Sequence, residues 1–347
     1  MTILVTGGDG YIGWPTALRI ADRTDERVLA VDNFARREWV EEVGSVSATP
    51  VASIEERIDA AEETLGIRNL SFAEGDLAEK SFVDELLTVH EPSVIVHAAA
   101  QPSAPYSQIN GERANYTQHN NLQATRNLLW GLEAHDLTDT HFVETTTTGV
   151  YGAPEFPIPE GGTTMENDGQ RDDVPFPNMG GSWYHATKGF DAQNMRLANT
   201  QFDIPISDVR TAITYGTETE ETREDDRLKT RFDFDYYFGT VAHRFCAQAV
   251  AGYPVTVYGK GEQRKPFISL EDAVEGLAQI ALTDADERPD DLTVYNQVTR
   301  AISIVEVAET IADAGDAYDL DVDVEHFENP RDEDETHKME IENDRYL

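Results

Sequence analysis

The chain has 347 residues, enough for one large domain or two interleaved ones with a sizeable core. Its 66 acidic residues against 27 basic ones give a formal net charge of −39, a field that repels phosphate backbones and anionic lipid and so argues against nucleic acid and membrane partners. The one cysteine, Cys246, excludes an internal disulfide and a multi-cysteine metal site, and acidic residues spread along the whole chain with few lysines point to a salt-loving source, where concentrated salt screens self-repulsion.

Residues 1–6 carry no basic segment ahead of a long apolar one, so a cytoplasmic location is expected. The spacing predicts a strand over 3–6 and a helix over 11–23, joined by Thr6-Gly7-Gly8-Asp9-Gly10-Tyr11-Ile12-Gly13. In that setting Gly7 permits the sharp turn out of the strand, Gly10 lets a pyrophosphate approach the backbone, and Gly13 lets the helix pack on the sheet. Tyr11 and Ile12 fall at the helix start, where free N–H groups and the positive dipole end meet phosphate. A second strand over 28–31 leads to Asp32, about 20 residues beyond the glycines, where an acid accepts hydrogen bonds from an adenosine ribose, with Asn33 beside it. That acid favours NAD over NADP. Arg36 and Arg37, in an extended connection expected over 33–50, are the groups that would accommodate an extra phosphate.

A helix over 53–65 and a strand over 70–73 come next, followed by Asp76 and Leu77. After a helix over 80–87 and a strand over 94–98 come Ala98, Ala99 and Ala100. Both sets stand where the adenine and the cofactor backbone would pass, and small residues suit that close approach. A helix over 115–133 leads to a strand over 141–144 that runs on into Thr145-Thr146-Thr147-Thr148, placing hydroxyls at the carboxyl edge of the sheet, where open α/β sheets bind ligands. Thr147 is the candidate for orienting a substrate alcohol. The Pro-, Gly- and Asp-rich stretch over 153–181 is too long to be an idle turn. Beyond it, a helix over 184–200 sets Tyr184 and Lys188 one turn apart on one face. A free phenol titrates near pH 10. Lys188 and a positively charged nicotinamide would lower that value and make Tyr184 a base for a hydroxyl proton as hydride leaves.

A strand over 205–209 is followed by a charged and polar stretch over 218–231, a helix over 237–250 and a strand over 255–258. Alternating strands and helices of this kind predict an α/β, Rossmann-type doubly wound parallel sheet with a smaller C-terminal lobe. Residues 1–210 would form the NAD-binding domain, with segments near 235–250 and 266–298 returning to it, and residues 211–347 the second lobe.

Together these residues resemble the extended short-chain dehydrogenase/reductase family of NAD-dependent epimerases and dehydratases. Gly7-Gly8-Asp9-Gly10-Tyr11, Thr49-Pro50-Val51-Ala52-Ser53-Ile54, Tyr116-Thr117-Gln118-His119-Asn120-Asn121, Arg244-Phe245-Cys246 and Val257-Tyr258-Gly259-Lys260-Gly261 are similar to its UDP-sulfoquinovose synthase branch. The resemblance implies oxidation of UDP-glucose at C4, loss of the 6-hydroxyl as water, addition of sulfite at C6 and return of hydride to C4, with NAD recycled in a homodimer paired through helices such as those over 115–133 and 184–200. It implies a triad of Thr147, Tyr184 and Lys188 with His185 as a candidate acid or base, and Asn120 on the cofactor. Gln101, Ser103, Tyr106, Tyr258, Gln263, Lys265 and its neighbour Arg264, with Arg244 and Arg331 on the phosphates, would line a nucleotide-sugar site in which Arg forks suit a dianionic ligand. The chain departs from the branch at Pro102, where an Arg is lost, at Val150, where a carboxylate is lost, and at Arg210-Thr211, which looks more like an epimerase. UDP-glucose 4-epimerase or 4,6-dehydratase activity is therefore the competing enzymatic reading, and a non-catalytic NAD-binding sensor the third.

Overall fold

The computed structural model describes residues 1–288, 291–328 and 339–346. In chain order the first half reads β1 (Thr2–Thr6), α1 (Gly13–Arg23), β2 (Arg27–Asp32), α2 (Ala35–Glu42), α3 (Ile54–Ala60), β3 (Leu70–Glu74), α4 (Lys80–His90), β4 (Val94–His97), α5 (Ala104–Ser107), α6 (Gly111–Ala134) and β5 (His141–Thr147). The second half reads β6 (Gly162–Asn167), β7 (Gln170–Pro175), α7 (Trp183–Phe202), β8 (Ile206–Thr211), β9 (Ile213–Tyr215), α8 (Val241–Val250), β10 (Val255–Tyr258), β11 (Arg264–Ser269), α9 (Leu270–Ala281), β12 (Thr293–Gln297), β13 (Arg300–Ser303), α10 (Ile304–Asp316) and β14 (Val324–Phe327).

Seven strands pair in the order β12-β8-β5-β4-β1-β2-β3, all parallel. Because side chains alternate across a strand, Ile3 and Val5 of β1 join Trp14, Leu18 and Leu277 in one apolar layer under α1 and α9. Leu4 joins Leu87, Leu128 and Met195 in the opposite layer under α4, α6 and α7. Helices on both faces explain why these strands read as continuous apolar runs. The Rossmann-type doubly wound sheet expected from the sequence is the observed one.

The smaller lobe contains the β13-β11-β9 sheet and the β10-β14 pair, around a core of Phe245, Val255, Val257, Phe267, Ile304 and Val307. In the second half, α9 packs on the large sheet and β12 pairs with β8, whereas α8 packs Phe245 and Ala249 into the core of the smaller sheets and meets Tyr11 of the glycine turn through His243. Residues 339–346 come back to the large lobe, with Met339 beside Val150 and Tyr151, and Ile341 bridging Ile158. Among the described residues, no helix is long and apolar enough to cross a membrane.

Three local expectations are corrected. Residues 33–50 are not simply extended, because α2 occupies their first half. Phe34 takes a left-handed φ of 59°. The side chains of Asp32 and Asn33 accept from the N–H groups of Phe34 and Ala35 and turn the chain at once, while Ala35, Trp39 and Val40 bury one face. The stretch over 153–181 contains the β6-β7 hairpin, closed by Asp168 and Gly169 with φ of 53° and 77°, the positive values that two-residue hairpin turns require. The helix expected over 237–250 starts at Val241, because Asp235 takes the N–H groups of Tyr237 and Phe238 into a turn and Thr240 caps the helix.

The polar stretch over 218–231 wraps α1 through specific bonds. Trp14 Nε1 donates to Leu228 O at 2.7 Å, and Arg19 (1 % exposed) bonds Glu221 bidentately at 2.6 and 2.9 Å and also pairs with Glu271 and Glu275. Its polarity reflects a web of ion pairs that holds the segment against α1 and α9.

Candidate active site

The turn after β1 has the shape of a dinucleotide cradle. Gly7 has φ of +75° and sits against β4's continuation, so that a Cβ there would lie 2.8 Å from Ala98 C; a Cβ on Gly13 would lie 2.1 Å from Gly7 O. Helix α1 opens at Ile12 with no side-chain cap; Trp14 N bonds Gly10 O and Pro15 has no N–H, so an anion there would meet the positive dipole end and the N–H groups ahead of Trp14. Gly10 and the half-buried Ala98, Ala99 and Ala100 border the same turn. Asp32 stands at the tip of β2, with Oδ2 accepting from Asp9 N at 3.0 Å and Oδ1 from Phe34 N at 2.7 Å. Burial raises its carboxyl to about 6, although those N–H bonds pull the other way. A cradle that any Cβ would fill, an uncapped helix and a fixed carboxylate fit NAD, whose bound form supplies a hydride acceptor.

Arg36 and Arg37 are engaged elsewhere. Arg37 grips Asp9 bidentately at 2.8 and 2.6 Å, while Arg36 bonds Asp233 and lies 4.1 Å over the Phe238 ring. Arg57, fully buried, holds Asp9 from the other side at 2.8 Å. Neither of the first two presents a free fork for a 2′-phosphate. Tyr11 spends its hydroxyl on Gly216 O (2.6 Å), tying the glycine turn to the small lobe. Asp76 turns the chain by accepting from Ala78 N, Leu77 is buried with its carbonyl taken by Asn127, and the half-buried Asn120 bonds Asn121.

The start of α7 meets the carboxyl edge of β5. Ser182 caps the helix through His185 N, and Ser107 accepts from Tyr184 N at 3.2 Å. Along β5, Thr145 donates to His97 O, Thr146 is tied to Asp208, and Thr147, half-buried at the edge, accepts from Gly149 N at 3.1 Å. The His185 imidazole lies where a Cβ on Gly149 would come within 2.3 Å of Nε2, so the glycine is what admits the ring. Its Nδ1 meets Ser182 Oγ at 3.0 Å, and burial, assisted by Lys265, lowers it to about 4, leaving it neutral at pH 7.

Burial raises the Tyr184 phenol; Lys188 lowers it, as expected from the spacing, but by less, because removing solvent from a phenolate costs more than one nearby ammonium returns. Lys188 is 2 % exposed, with Nζ 3.0 Å from Glu144 Oε1 and 3.9 Å from Asp191 Oδ2. Burial works against its charge, and Glu144 followed by Asp191 more than restores it.

Several residues expected on the substrate also make hydrogen bonds within the fold. Gln101 is fully buried and bonded to Thr117 and Asn121 of α6; Ser103 caps α5 and bonds Tyr237 O; Tyr106 is fully buried with its hydroxyl on Glu42. Gln101 thereby ties the segment after β4 to α6, while Ser103 and Tyr106 tie α5 to Tyr237 and to Glu42 of α2. Arg264 bonds Glu306 and Ala301 O, and Arg244 donates to Gly239 O. Tyr258 and Lys265 are half-buried, Gln263 keeps a buried Oε1 without a partner, and Arg331 lies outside the described residues. Exposed Pro102 and buried Val150, which packs with Tyr151, Ile158 and Phe176, offer no charge to the cleft. Sequence reasoning passed over Glu144 and Asp191. The signals available were an acid inside an otherwise apolar strand and a second one three residues after Lys188.

Residues 3–296 match the model of the NAD dependent epimerase/dehydratase family. The chain is 39% identical over 339 residues to the UDP-sulfoquinovose synthase of Sulfolobus acidocaldarius, covering 97% of this chain and 84% of that protein. It is 36% identical over 335 residues to the chloroplastic UDP-sulfoquinovose synthase of Spinacia oleracea, covering 96% and 68%. Among solved structures, UDP-glucuronic acid 4-epimerase of Bacillus cereus, in complex with UDP-glucuronic acid and NAD, superposes with a TM-score of 0.70 at 20% identity, covering all of this chain and 91% of that one.

Proposed function

Since the chain belongs to the NAD dependent epimerase/dehydratase family, we propose that it is an NAD-dependent nucleotide-sugar enzyme of the UDP-sulfoquinovose synthase type, converting UDP-glucose and sulfite to UDP-sulfoquinovose and water. What supports this is the packing of the start of α7 on the carboxyl end of β5: Lys188 bonds Glu144, and the His185 ring lies against Gly149, whose N–H is held by Thr147. Tyr184 accepts the C4 hydroxyl proton as hydride leaves C4, with Thr147 orienting that hydroxyl and Lys188 stabilising the phenolate. The resulting 4-ketone acidifies C5, and His185, neutral at pH 7, is in the form able to take the C5 proton. Hydroxide leaves C6 with a proton as water, sulfite adds at C6, C5 regains a proton, and hydride returns to C4. Lys265 and Arg244, with Arg331, are proposed for the phosphates. Residues 1–210 with α9 and β12 serve the cofactor, and the smaller lobe the nucleotide sugar.

Val150 and Pro102 favour a second reading, a 4-epimerase or 4,6-dehydratase, because neither brings charge to the reacting carbons. Mass analysis after incubation with UDP-glucose and sulfite separates the two. A sulfonated UDP-sugar supports the first, and UDP-galactose or a 4-keto-6-deoxy product removes it.

Asp32 makes cofactor binding pH-dependent. A ribose hydroxyl donates to the ionised carboxylate, and this carboxyl's folded value of about 6 lies above its ordinary 3.8. NAD affinity should therefore be constant above pH 6 and fall about tenfold per unit below it. In the free protein the sign reverses: the raised value stabilises the fold fully below 3.8, a contribution lost as pH rises through about 6. Calorimetric NAD titrations between pH 5 and 8, on the order of one unit apart, check the first statement.

We also propose a homodimer through α6 and α7. Trp183, Phe190 and Leu197 recur every seven residues on α7, each more than half exposed, and Trp130 of α6 is 57% exposed beside Phe202. A second copy would cover this apolar face, and sedimentation as a monomer at micromolar concentration would count against it. The net charge of −39 further suggests a cytoplasmic protein of a salt-rich cell, an idea that full activity after desalting would remove.

A further inference from the structure

Lys188 is held from behind by two carboxyls that no solvent reaches. Glu144 of β5 and Asp191 of α7 are both fully buried, at 3.0 and 3.9 Å from Nζ. Glu144 Oε2 and the Asp191 oxygens make no hydrogen bond of good geometry; the Thr125 hydroxyl is the one donor beside Asp191, and the two carboxyls lie within reach of each other. Two ionised carboxylates against one ammonium would leave a net negative charge in the interior with fewer donors than its oxygens need, an arrangement of high desolvation cost. One proton removes the difficulty. Held between the acids, it makes the cluster neutral and gives one of those oxygens a partner. We infer that Glu144 and Asp191 act as a single-proton carboxyl pair, with Asp191 the acid and Glu144 the carboxylate on Lys188, and that the pair positions Lys188 and sets how far its charge reaches Tyr184.

The surroundings agree with that assignment. Burial raises both acids, Lys188 partly offsetting this at Glu144 and Glu144 adding to it at Asp191. From β4, His97 faces the cluster and cannot supply the missing charge, since burial followed by Lys188 lowers it to about 3. Its ring is bonded to Thr6 and to Thr125 of α6, which adjoins Asp191. From β8, Asp208 is neutralised by Arg210 at 2.9 Å and bonded by Thr146. Tyr184 feels all three charges: Lys188 favours its ionisation, and the negative charge of Asp191 and Glu144 opposes it. A carboxylate behind the lysine therefore fixes the ammonium in place and limits its acidifying effect on the phenol.

The role rests on the proposed use of Tyr184 and Lys188, whereas the shared proton does not. Infrared spectra of the full chain at pH 8, without substrate, should contain the C=O stretch of a buried neutral carboxylic acid that shifts in D2O and is missing from both Asp191→Asn and Glu144→Gln, since either change leaves one ionised acid on Lys188. Glu144→Gln should also raise the pH midpoint of C4 oxidation, by roughly half a unit, because the one remaining negative charge then sits on Asp191, which opposes ionisation of Tyr184 more than Glu144 does. No such band in the wild-type protein, a band that survives in both variants, or an unmoved midpoint overturns the inference. The band without any C4 oxidation would leave the carboxyl pair standing and overturn the proposed function.

Discussion

Tyr184→Phe should lower the rate of C4 oxidation by about 10²- to 10⁴-fold, the range a positioned general base supplies, with NAD affinity unchanged. The ring loses one oxygen, and its surroundings give no reason for the helix to move: the Tyr184 backbone N–H still reaches Ser107 Oγ, and Ser182 still caps α7. The loss should appear in kcat, because the proton is taken in the transition state while substrate is already bound. Stopped-flow measurement of nicotinamide reduction reads the effect directly. Turnover equal to wild type would mean that the Tyr184 and Lys188 pair is not used, whereas NAD binding with no turnover in either protein is the behaviour of a sensor.

Arg19→Met should cost about 3–5 kcal/mol of stability, the loss seen when one partner of a buried ion pair is removed, and lower the melting temperature by on the order of 10 °C. Arg19 is enclosed by Glu221, Glu271 and Glu275, and the Glu221 side chain is itself only 8% exposed. Without the guanidinium, Glu221 keeps Thr219 Oγ1 at 2.7 Å as its remaining side-chain donor. Within the described structure this pairing joins α1, α9 and the 218–231 segment, so the damage should spread from α1 to both. Burial raises the Glu221 carboxyl, but Arg19 and Thr219 more than offset it, holding the value below the ordinary 4.5. The stabilisation is thus fully present above pH 4.5 and is lost as pH falls through the lowered folded value. Thermal unfolding at pH 7 and pH 3 should show the wild-type advantage at the first and its shrinkage at the second.

The parts that sequence made legible are those where one physical requirement leaves few residue choices. Gly7 and Gly13 sit where a Cβ meets backbone at under 3 Å, so the turn could be read without a structure. The same holds for the apolar runs of β1, β4 and β5, which helices cover on both faces. Tyr184 and Lys188 share a helix face by spacing alone. What stayed hidden depends on contacts between distant segments. Gln101, Ser103 and Tyr106 have the polar groups of a binding site, and α6, Tyr237 and Glu42 also bond them. Arg36 and Arg37 carry forks that suit phosphate, but Asp233 and Asp9 take them. The phenol of Tyr184 shows the same limit in energetic terms. Its neighbouring lysine was plain from the spacing, while the burial that outweighs it, and the two acids beneath that lysine, appear only when β5 is laid beside α7.

The most direct measurement is to mix the NAD-loaded protein with UDP-glucose carrying deuterium at C4, in the absence of sulfite, and to follow nicotinamide reduction and the mass of the cofactor. Reduced nicotinamide that gains one deuterium, and forms more slowly than with the unlabelled sugar, is the result expected from proton removal by Tyr184 as C4 gives up hydride. Oxidised, unlabelled cofactor after prolonged incubation with a protein shown to bind both NAD and UDP-glucose would contradict it.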